Sequence, residues 1–441
     1  MAKTFQPYEP EQSLLFPPSP RDWLPEGHLA YFVMDVVGEL DLGDINAHYE
    51  KELRGYPPYH PQMMTALLLY GYCSGVASSR KIERKTYEDV AFRVIAAGHH
   101  PDHTAISEFR RIHLEALSGL FVQVLQLCRK AGLVKLGHVA LDGTKVKANA
   151  SKHKAMSYER MKEKERELKT KVKALLEAAK NEDAYEDQKY GVSRRGDELP
   201  EELQRAKSRL AKIRAAKRAL EEEAAQGPDD GEGGSGTSLP NHRVPATKEG
   251  KPTPKAQRNF TDAESRIQKS GDGFVQGYNA QVAVDEEAQI IVAQALTNQP
   301  PDVEHLVPML ERVRENCGAM PLTTTADAGY FSEANVLAAQ AMGTDPHIAT
   351  GRRKHDEPAP KVRGRMPSSL TIKERMARKL RTLKGRATYA KRKWVVEPVF
   401  GQIKATRSLR QLLLRGLHKA RGEWAMISLT HNLLKLHAAR A

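Results

Sequence analysis

The sequence is poor in cysteine, in acids relative to bases, and in long apolar runs, and each shortage excludes something. Three cysteines in 441 residues, Cys73, Cys128 and Cys317, lie far apart with no CxxC pair. A disulfide framework and a cysteine-rich zinc site are therefore not expected, and the three read as small buried apolar groups in a reducing cytoplasm. No apolar run is long enough to span a bilayer, and the opening MAKTFQPYEP has no signal-peptide core. Acids are outnumbered, 55 against 69 Lys and Arg, for a formal net charge of +14. Such an excess points to a polyanionic partner, with nucleic acid ahead of anionic membrane. The length allows two or three domains with substantial cores.

The charge is concentrated. Between Gly351 and Lys393 there are 16 Lys and Arg against three acids, Asp356, Glu357 and Glu374, which accounts for nearly the whole excess. A solvated basic face is one reading of such a run; a surface that tracks a DNA backbone is the one favoured here, because charge this local makes a patch.

Residues up to about Gly137 read as helical. HPQMMTALLLYGYCSG has Pro61 near its start, where a helix tolerates proline. PDHTAISEFRRIHLEALSGLFVQVLQLCRKAG reads as a helix pair with Asp102 or Thr104 as cap, Glu108 in its first turn and Gly132 at its end. His99, His100, His103 and His113 raise a metal reading, but their spacing does not match a closed zinc set. The FRR segment is a weak DNA-binding signal. A strand follows in GHVALDGT. Residues 153–226 then form a helical hairpin or coiled coil, with Met161, Leu168 and Leu175 seven apart and Leu203, Ala206, Leu210, Ile213 and Leu220 on an a/d stripe. Residues 227–255 have the composition of a flexible linker. After them come two strands joined at Asp285-Glu286-Glu287, a helix over 303–316, a strand ending at Asp327, a helix capped by Ser332, a short strand over 345–350, and helices over 394–407 and 420–438. That order predicts an α/β fold, a mixed sheet with helices on its faces, interrupted after its first strand by the hairpin and linker.

Two strands thus end on an aspartate followed by small residues, VALDGT at Asp142 and TTTADAGY at Asp327. Polar loops beyond strand ends are where α/β sheets place their sites. A third acid, Glu397, precedes Pro398 at a helix start, with Lys404 two turns on along the same face and Val395, Val399 and Ile403 facing inward. Each acid alone also has an ordinary role as a turn or helix cap. Together, beside a basic segment, three carboxylates from separate elements suit two divalent cations about 4 Å apart, and oxygen ligands favour Mg²⁺ or Mn²⁺.

LDGTKVKANAS, ADAGYFSEANV and YAKRKWVVEPVFGQIK resemble the three catalytic blocks of bacterial insertion-sequence transposases of the DDE class, in the IS-four/IS-five-like group with a ribonuclease H-like core. The segment from Gly277 to Asp302, the helical N-terminal region and the C-terminal LLLRGLHKARGEWAMISLTHNLLKL resemble the same family, outside about residues 153–260. The resemblance implies a helical DNA-binding and assembly domain over 1–136, a catalytic domain over 137–152 and 256–441, and an insertion between them. It makes Asp142, Asp327 and Glu397 the metal-binding catalytic triad, and Tyr389, Arg392 and Lys404 the accompanying DNA-contacting set. The Arg-to-Glu gap is one residue longer than the family's common form, so Lys393 is an alternative to Arg392. Lys145 and Lys147 read either as phosphate contacts or as exposed strand lysines, Trp394 either as a base-stacking residue or, the reading favoured here, as core, and Trp424 as core. Expected partners are terminal inverted repeats and target DNA, with a homodimer or higher oligomer in the bacterial cytoplasm. The implied activity is metal-dependent cleavage at element ends followed by joining of the 3′-hydroxyl to target DNA. The alternatives are a non-catalytic DNA-binding derivative and a general metal-dependent nuclease.

Overall fold

A computed structural model describes residues 19–50, 57–190, 201–225, 239–271, 273–351, 362, 364 and 367–440, with the side chains of Pro20, Arg21 and 179–190 excepted. The chain divides into two compact units, one running to Ala116 and including the end of the chain from His437, the other Leu117–Leu436. No described helix is long and apolar enough to cross a membrane.

The first unit is all-helical. Its centre is the helix Pro61–Cys73, buried at every position from Met64 onward, as expected of a helix apolar all round. Pro61 opens it, where a missing N–H costs nothing, and the His60 ring accepts from Gln62 N at 3.2 Å. The helix His103–Ile112 starts on Asp102, whose carboxylate takes the Ala105 N–H at 2.6 Å. The histidines are absorbed locally. His103 bonds Glu83, His113 bonds the Tyr49 hydroxyl, and His100 bonds Thr86 while stacking on Tyr87. Of the FRR arginines, Arg110 is buried and donates to the Tyr72 hydroxyl and the Ala77 carbonyl, and Arg111 pairs with Glu108. Arg110 is therefore a structural residue.

The second unit is built on a six-stranded mixed sheet of ribonuclease H-like type flanked by helices. Strand β1 is His138–Lys147, followed after the insertion by β4 (Arg266–Ser270), β5 (Gly273–Asp285), β6 (Ile291–Thr297), β7 (Thr323–Ala326) and β8 (Asp345–Ile348), while β2 (Ala155–Ser157) and β3 (Gln257–Asn259) form a separate ribbon. β1 is central, antiparallel to β5 and parallel to β7, which is parallel to β8; β4 and β6 both lie against β5. Helix Leu306–Cys317 packs against β6, and the largely buried helix Leu417–Arg440 clamps the same strand through Asn432, whose amide exchanges two 2.9 Å bonds with the Ile291 backbone.

The insertion is a helical hairpin, Tyr158–Tyr190 against Glu201–Ala225, with Leu203, Ala206, Leu210, Ile213 and Leu220 buried as the heptad reading expected. Glu165 is shared among Lys169, Arg214 and Lys217 across it. Its root is pinched by the β2–β3 ribbon and by a cluster of Tyr158, Met161, Ile213, Leu220 and Ala256. The expected flexible linker lies outside the described residues over 227–238. From Leu239 on it is tied down: Leu239 is buried, the Thr297 hydroxyl donates to the Pro240 carbonyl at 2.7 Å, and His242 N donates to Asn298 at 2.7 Å.

Candidate active site

Register places the first two acids. β1 and β7 run parallel with Ala140 opposite Thr325, so two residues further on Asp142 comes level with Asp327. β7 stops at Ala326, but β1 does not stop at Asp142, contrary to the sequence reading. It continues to Lys147 because the 13-residue β5 keeps pairing with it, Asp142 opposite Val282 and Gly143 opposite Gln281. Asp142 is thus mid-strand, at the point where its parallel neighbour ends, and Asp142-Gly143 is not a turn. Beyond Leu141 the strand changes from buried to half-buried, which marks the opening of the site. Asp327 caps a short helical turn, its Oδ1 accepting from Gly329 N at 2.8 Å.

The third acid lies on an irregular helix. The expected run over 394–407 is three pieces: a turn over Arg392–Val395, a short helix Glu397–Gly401 with Pro398 in its first turn, and a π-helical turn over Gln402–Thr406. Proline removes one N–H and the wide turn shifts the face. Val395, Val399 and Ile403 still face inward, all fully buried. The segment is anchored to the β5–β6 turn, where Lys391 Nζ bonds Glu286 at 2.6 Å and Gln289 Nε2 donates to the Trp394 carbonyl at 2.7 Å.

That anchoring aims Arg392 at the acids. Its Nη2 is 2.8 Å from Asp142 Oδ2 and its Nη1 is 4.0 Å from Glu397 Oε1, with the Arg392 side chain 13 % exposed and that of Glu397 55 % exposed. The arginine therefore bridges a buried and an exposed carboxylate. Lys393 points to solvent, so it is Arg392 that meets the acids. Trp394 is 49 % exposed and not core, whereas Trp424 is fully buried.

Burial pushes the Asp142 carboxyl up to about 6; Arg392 and the Gly143 N–H pull against that rise, and Asp327 adds to it. Tyr389 is raised by burial, partly offset by Arg392 and reinforced by Asp327, Asp142 and Glu397, which places it among the same charges. Burial opposes the Arg392 charge, but Asp142, Tyr389 and Asp327 outweigh it and hold the guanidinium above its ordinary range. Lys404 Nζ holds β1 itself, bonding Thr144 Oγ1 at 2.5 Å and the Lys145 carbonyl at 2.9 Å. Lys145 is not an exposed strand lysine. Its Nζ bonds the Pro300 carbonyl at 2.8 Å and lies 3.6 Å from Asp302 Oδ1, and burial lowers it despite three neighbouring aspartates. Lys147, further out on β1, is exposed.

Asp302, which sequence reasoning passed over, belongs to this cluster. Asn279 Nδ2 and Gln281 Nε2 donate to its Oδ1 at 2.7 and 2.8 Å, and the buried Tyr330 hydroxyl in turn donates to Gln281 Oε1. The glycine after Asp142 is required here for packing: a Cβ on Gly143 would lie 2.4 Å from Gln281 Nε2 and 3.0 Å from Asp302 Oδ1. The only sequence sign of Asp302 is an aspartate after Pro-Pro between a strand and a helix, which is also an ordinary helix start.

Asp142, Asp327 and Glu397 offer only oxygen donors, and a cation, the guanidinium, already lies between two of them; in donor chemistry the set fits a hard divalent ion. Among the described residues no three acids, histidines or cysteines stand close enough together to enclose an ion as they are.

Residues 18–111 match the family model described as Transposase domain (DUF772), and residues 237–433 match the one described as Transposase DDE domain. No curated protein and no solved structure matches the chain. Asp327 and Glu397 lie inside the second match; Asp142 lies outside both matches and meets Asp327 through the sheet register and Glu397 through Arg392. With a transposase-domain match in each compact unit, the chain is similar to DDE-type transposases, and the two matches support that class for the protein.

Proposed function

We propose that the protein is an insertion-sequence transposase of the IS-four/IS-five-like group. It cleaves phosphodiesters at element ends and joins the freed 3′-hydroxyl to target DNA, using Asp142, Asp327 and Glu397 with Mg²⁺ or Mn²⁺. The observation that carries the reading is the parallel register that brings Asp142 level with Asp327, beside an arginine that reaches Glu397 as well. When bound, divalent ions would activate the attacking water or hydroxyl and steady the leaving oxygen. Asp142 and Asp327 supply the fixed carboxylates. Glu397, the exposed acid of the three, is the one free to close onto them. Arg392 neutralises Asp142 until a phosphate or a metal competes for either partner; a planar fork suits a phosphodiester oxygen pair. Lys404 holds Thr144 and Lys145 of β1, and so keeps the strand that carries Asp142 in place. Tyr389, Lys393 and the exposed Trp394 line the approach for DNA. Pairing two element ends requires at least two copies, for which the hairpin or the C-terminal helix offers the surface, and the work is done in the cytoplasm at the nucleoid.

The test is a cleavage assay on DNA carrying the ends that flank the gene, with Mg²⁺, Mn²⁺ or EDTA. Wild type should cut at the ends and transfer strands only with metal, and Asp142→Asn should bind ends but lose cleavage by about 10³-fold or more. Cutting without strand transfer would favour a general nuclease. Binding without cutting by either protein would favour a non-catalytic DNA-binding derivative.

A further inference from the structure

Asp302 is held as a ligand is held. It stands at the end of the Asn298–Asp302 loop, immediately before the turn Val303–His305 that leads into helix Leu306–Cys317. Its two oxygens have different surroundings. Oδ1 is saturated by the Asn279 and Gln281 amides, both donating from β5 across from Lys145 and Gly143, with the Lys145 ammonium alongside. Oδ2 has no hydrogen bond among the described residues and faces Gly329, on the loop that carries Asp327. A Cβ built on Gly329 would lie 3.0 Å from Asp327 Oδ1, which accepts from Gly329 N, and 3.3 Å from Asp302 Oδ2, so both oxygens border one small volume that a side chain there would crowd. The same loop is tied to the Asp302 turn by Asn335, whose Nδ2 donates to the Tyr330 carbonyl at 2.7 Å and to the Val303 carbonyl at 2.6 Å.

A carboxylate that served only to cap the following turn would need neither the paired amides on one oxygen nor the glycine facing the other. Asp302 precedes the turn Val303–His305 but makes no side-chain cap bond to it, so its carboxylate is held for something other than capping. Resting on the proposed transposase reading, we infer that Asp302 is a fourth carboxylate of the metal centre. As no three of these acids enclose an ion where they stand, they draw together on binding it, Asp302 presenting Oδ2 beside Asp142 and Asp327 while Asn279, Gln281 and Lys145 keep its orientation. Lys145 is then the counter-charge that lets four acids share one site before the ion arrives, and its role is inside the site and not on the DNA.

Mn²⁺ binding to the full-length protein without DNA, followed by electron paramagnetic resonance and by calorimetry, tests this apart from activity. Asp302→Asn keeps an acceptor for the two amides and removes the charge; it should weaken Mn²⁺ about 10–100-fold, with the metal-free melting temperature little changed. Gly329→Ala, which removes no acid, should weaken Mn²⁺ similarly by filling the space between the two oxygens, and it remains informative if Asp302→Asn fails to fold. Asp142→Asn is the reference. If Asp142→Asn loses Mn²⁺ while Asp302→Asn and Gly329→Ala keep wild-type affinity, the fourth-ligand inference is wrong and the triad reading stands. If the wild type binds no Mn²⁺, or Asp142→Asn binds it as well as wild type, both readings fall.

Discussion

The chemistry of the site turns on how one buried carboxylate is kept usable. Asp142 is lifted to about 6 by burial, with Arg392 working against the rise and Asp327 adding to it. A raised carboxyl keeps its proton longer in the folded chain than in the unfolded one. The metal-free fold therefore loses stability as pH climbs from about 4 to about 6, and cation affinity is lost as pH falls below about 6, because the ligand must be ionised. The two neighbours make opposite predictions. In the metal-free protein, carboxyl-carbon NMR of Asp142 should report a midpoint moved up by Arg392→Ala and moved down by Asp327→Asn. A titration that neither change moves would mean that the three groups do not share a site. From the sequence Asp142 and Asp327 stood out as candidates, because acids beside small residues after apolar strands are a local pattern; Glu397 stood out by its place before Pro398, and Arg392 only through the family resemblance. Asp302 was not, since its significance comes from Gly143, Gly329 and Gln281 meeting it in space. The surroundings of Lys145 were hidden for the same reason: nothing in KVK says that one lysine faces an acid inside the fold.

At the scale of elements, what the sequence hid is where partners begin and end. Alternation and turn residues showed that β1, β5, β6 and β7 exist. They did not show that β1 runs past Asp142, because that is set by the length of β5 on its other edge. The heptad stripe of the hairpin was readable because it is long and periodic, whereas the break at Pro398 and the π turn after it are too short to leave a period. The β1–β5 seam also predicts a contrast. Gly143→Ala would set a Cβ 2.4 Å from the end of the Gln281 side chain, which can give way only by releasing Asp302 and Tyr330. Gly277→Ala would set one 2.2 Å from the Val146 carbonyl, and backbone cannot step aside. Overpacking of this kind costs about 1–3 kcal/mol. In denaturant melts Gly277→Ala should lie at or beyond the upper end of that range, and Gly143→Ala lower. Gly143→Ala should nonetheless lose the more Mn²⁺ affinity, since it displaces the residue that orients Asp302. Equal metal affinity in both variants would argue that Gln281 has no part in the centre.

For the molecule as a whole, the charge excess has an address. The sequence puts nearly all of it between Gly351 and Lys393. Within the described part of that segment, two short helices, Ile372–Arg381 and Leu383–Ala390, lead directly into the Arg392 turn. Some of the segment's cations are engaged internally: Lys379 with Asp345, Lys391 with Glu286, Arg392 with Asp142. Lys384, Arg386 and Lys393 lie on the exposed surface instead, next to the site, with Leu383 and Trp394 exposed among them. Cations placed this way attract any phosphate backbone and read no bases, so their contribution is counterion release. Each phosphate that is no longer neutralised by a side chain lowers the steepness of log K against log salt by about 0.9. Replacing Lys384, Arg386 and Lys393 with alanine should therefore flatten the salt dependence of DNA affinity by about 2–3 units and weaken element ends and random duplex alike. Fluorescence anisotropy from low to moderate salt measures both. A loss confined to element ends would make this face a sequence reader, and an unchanged slope would mean that DNA approaches Arg392 and the acids from another side.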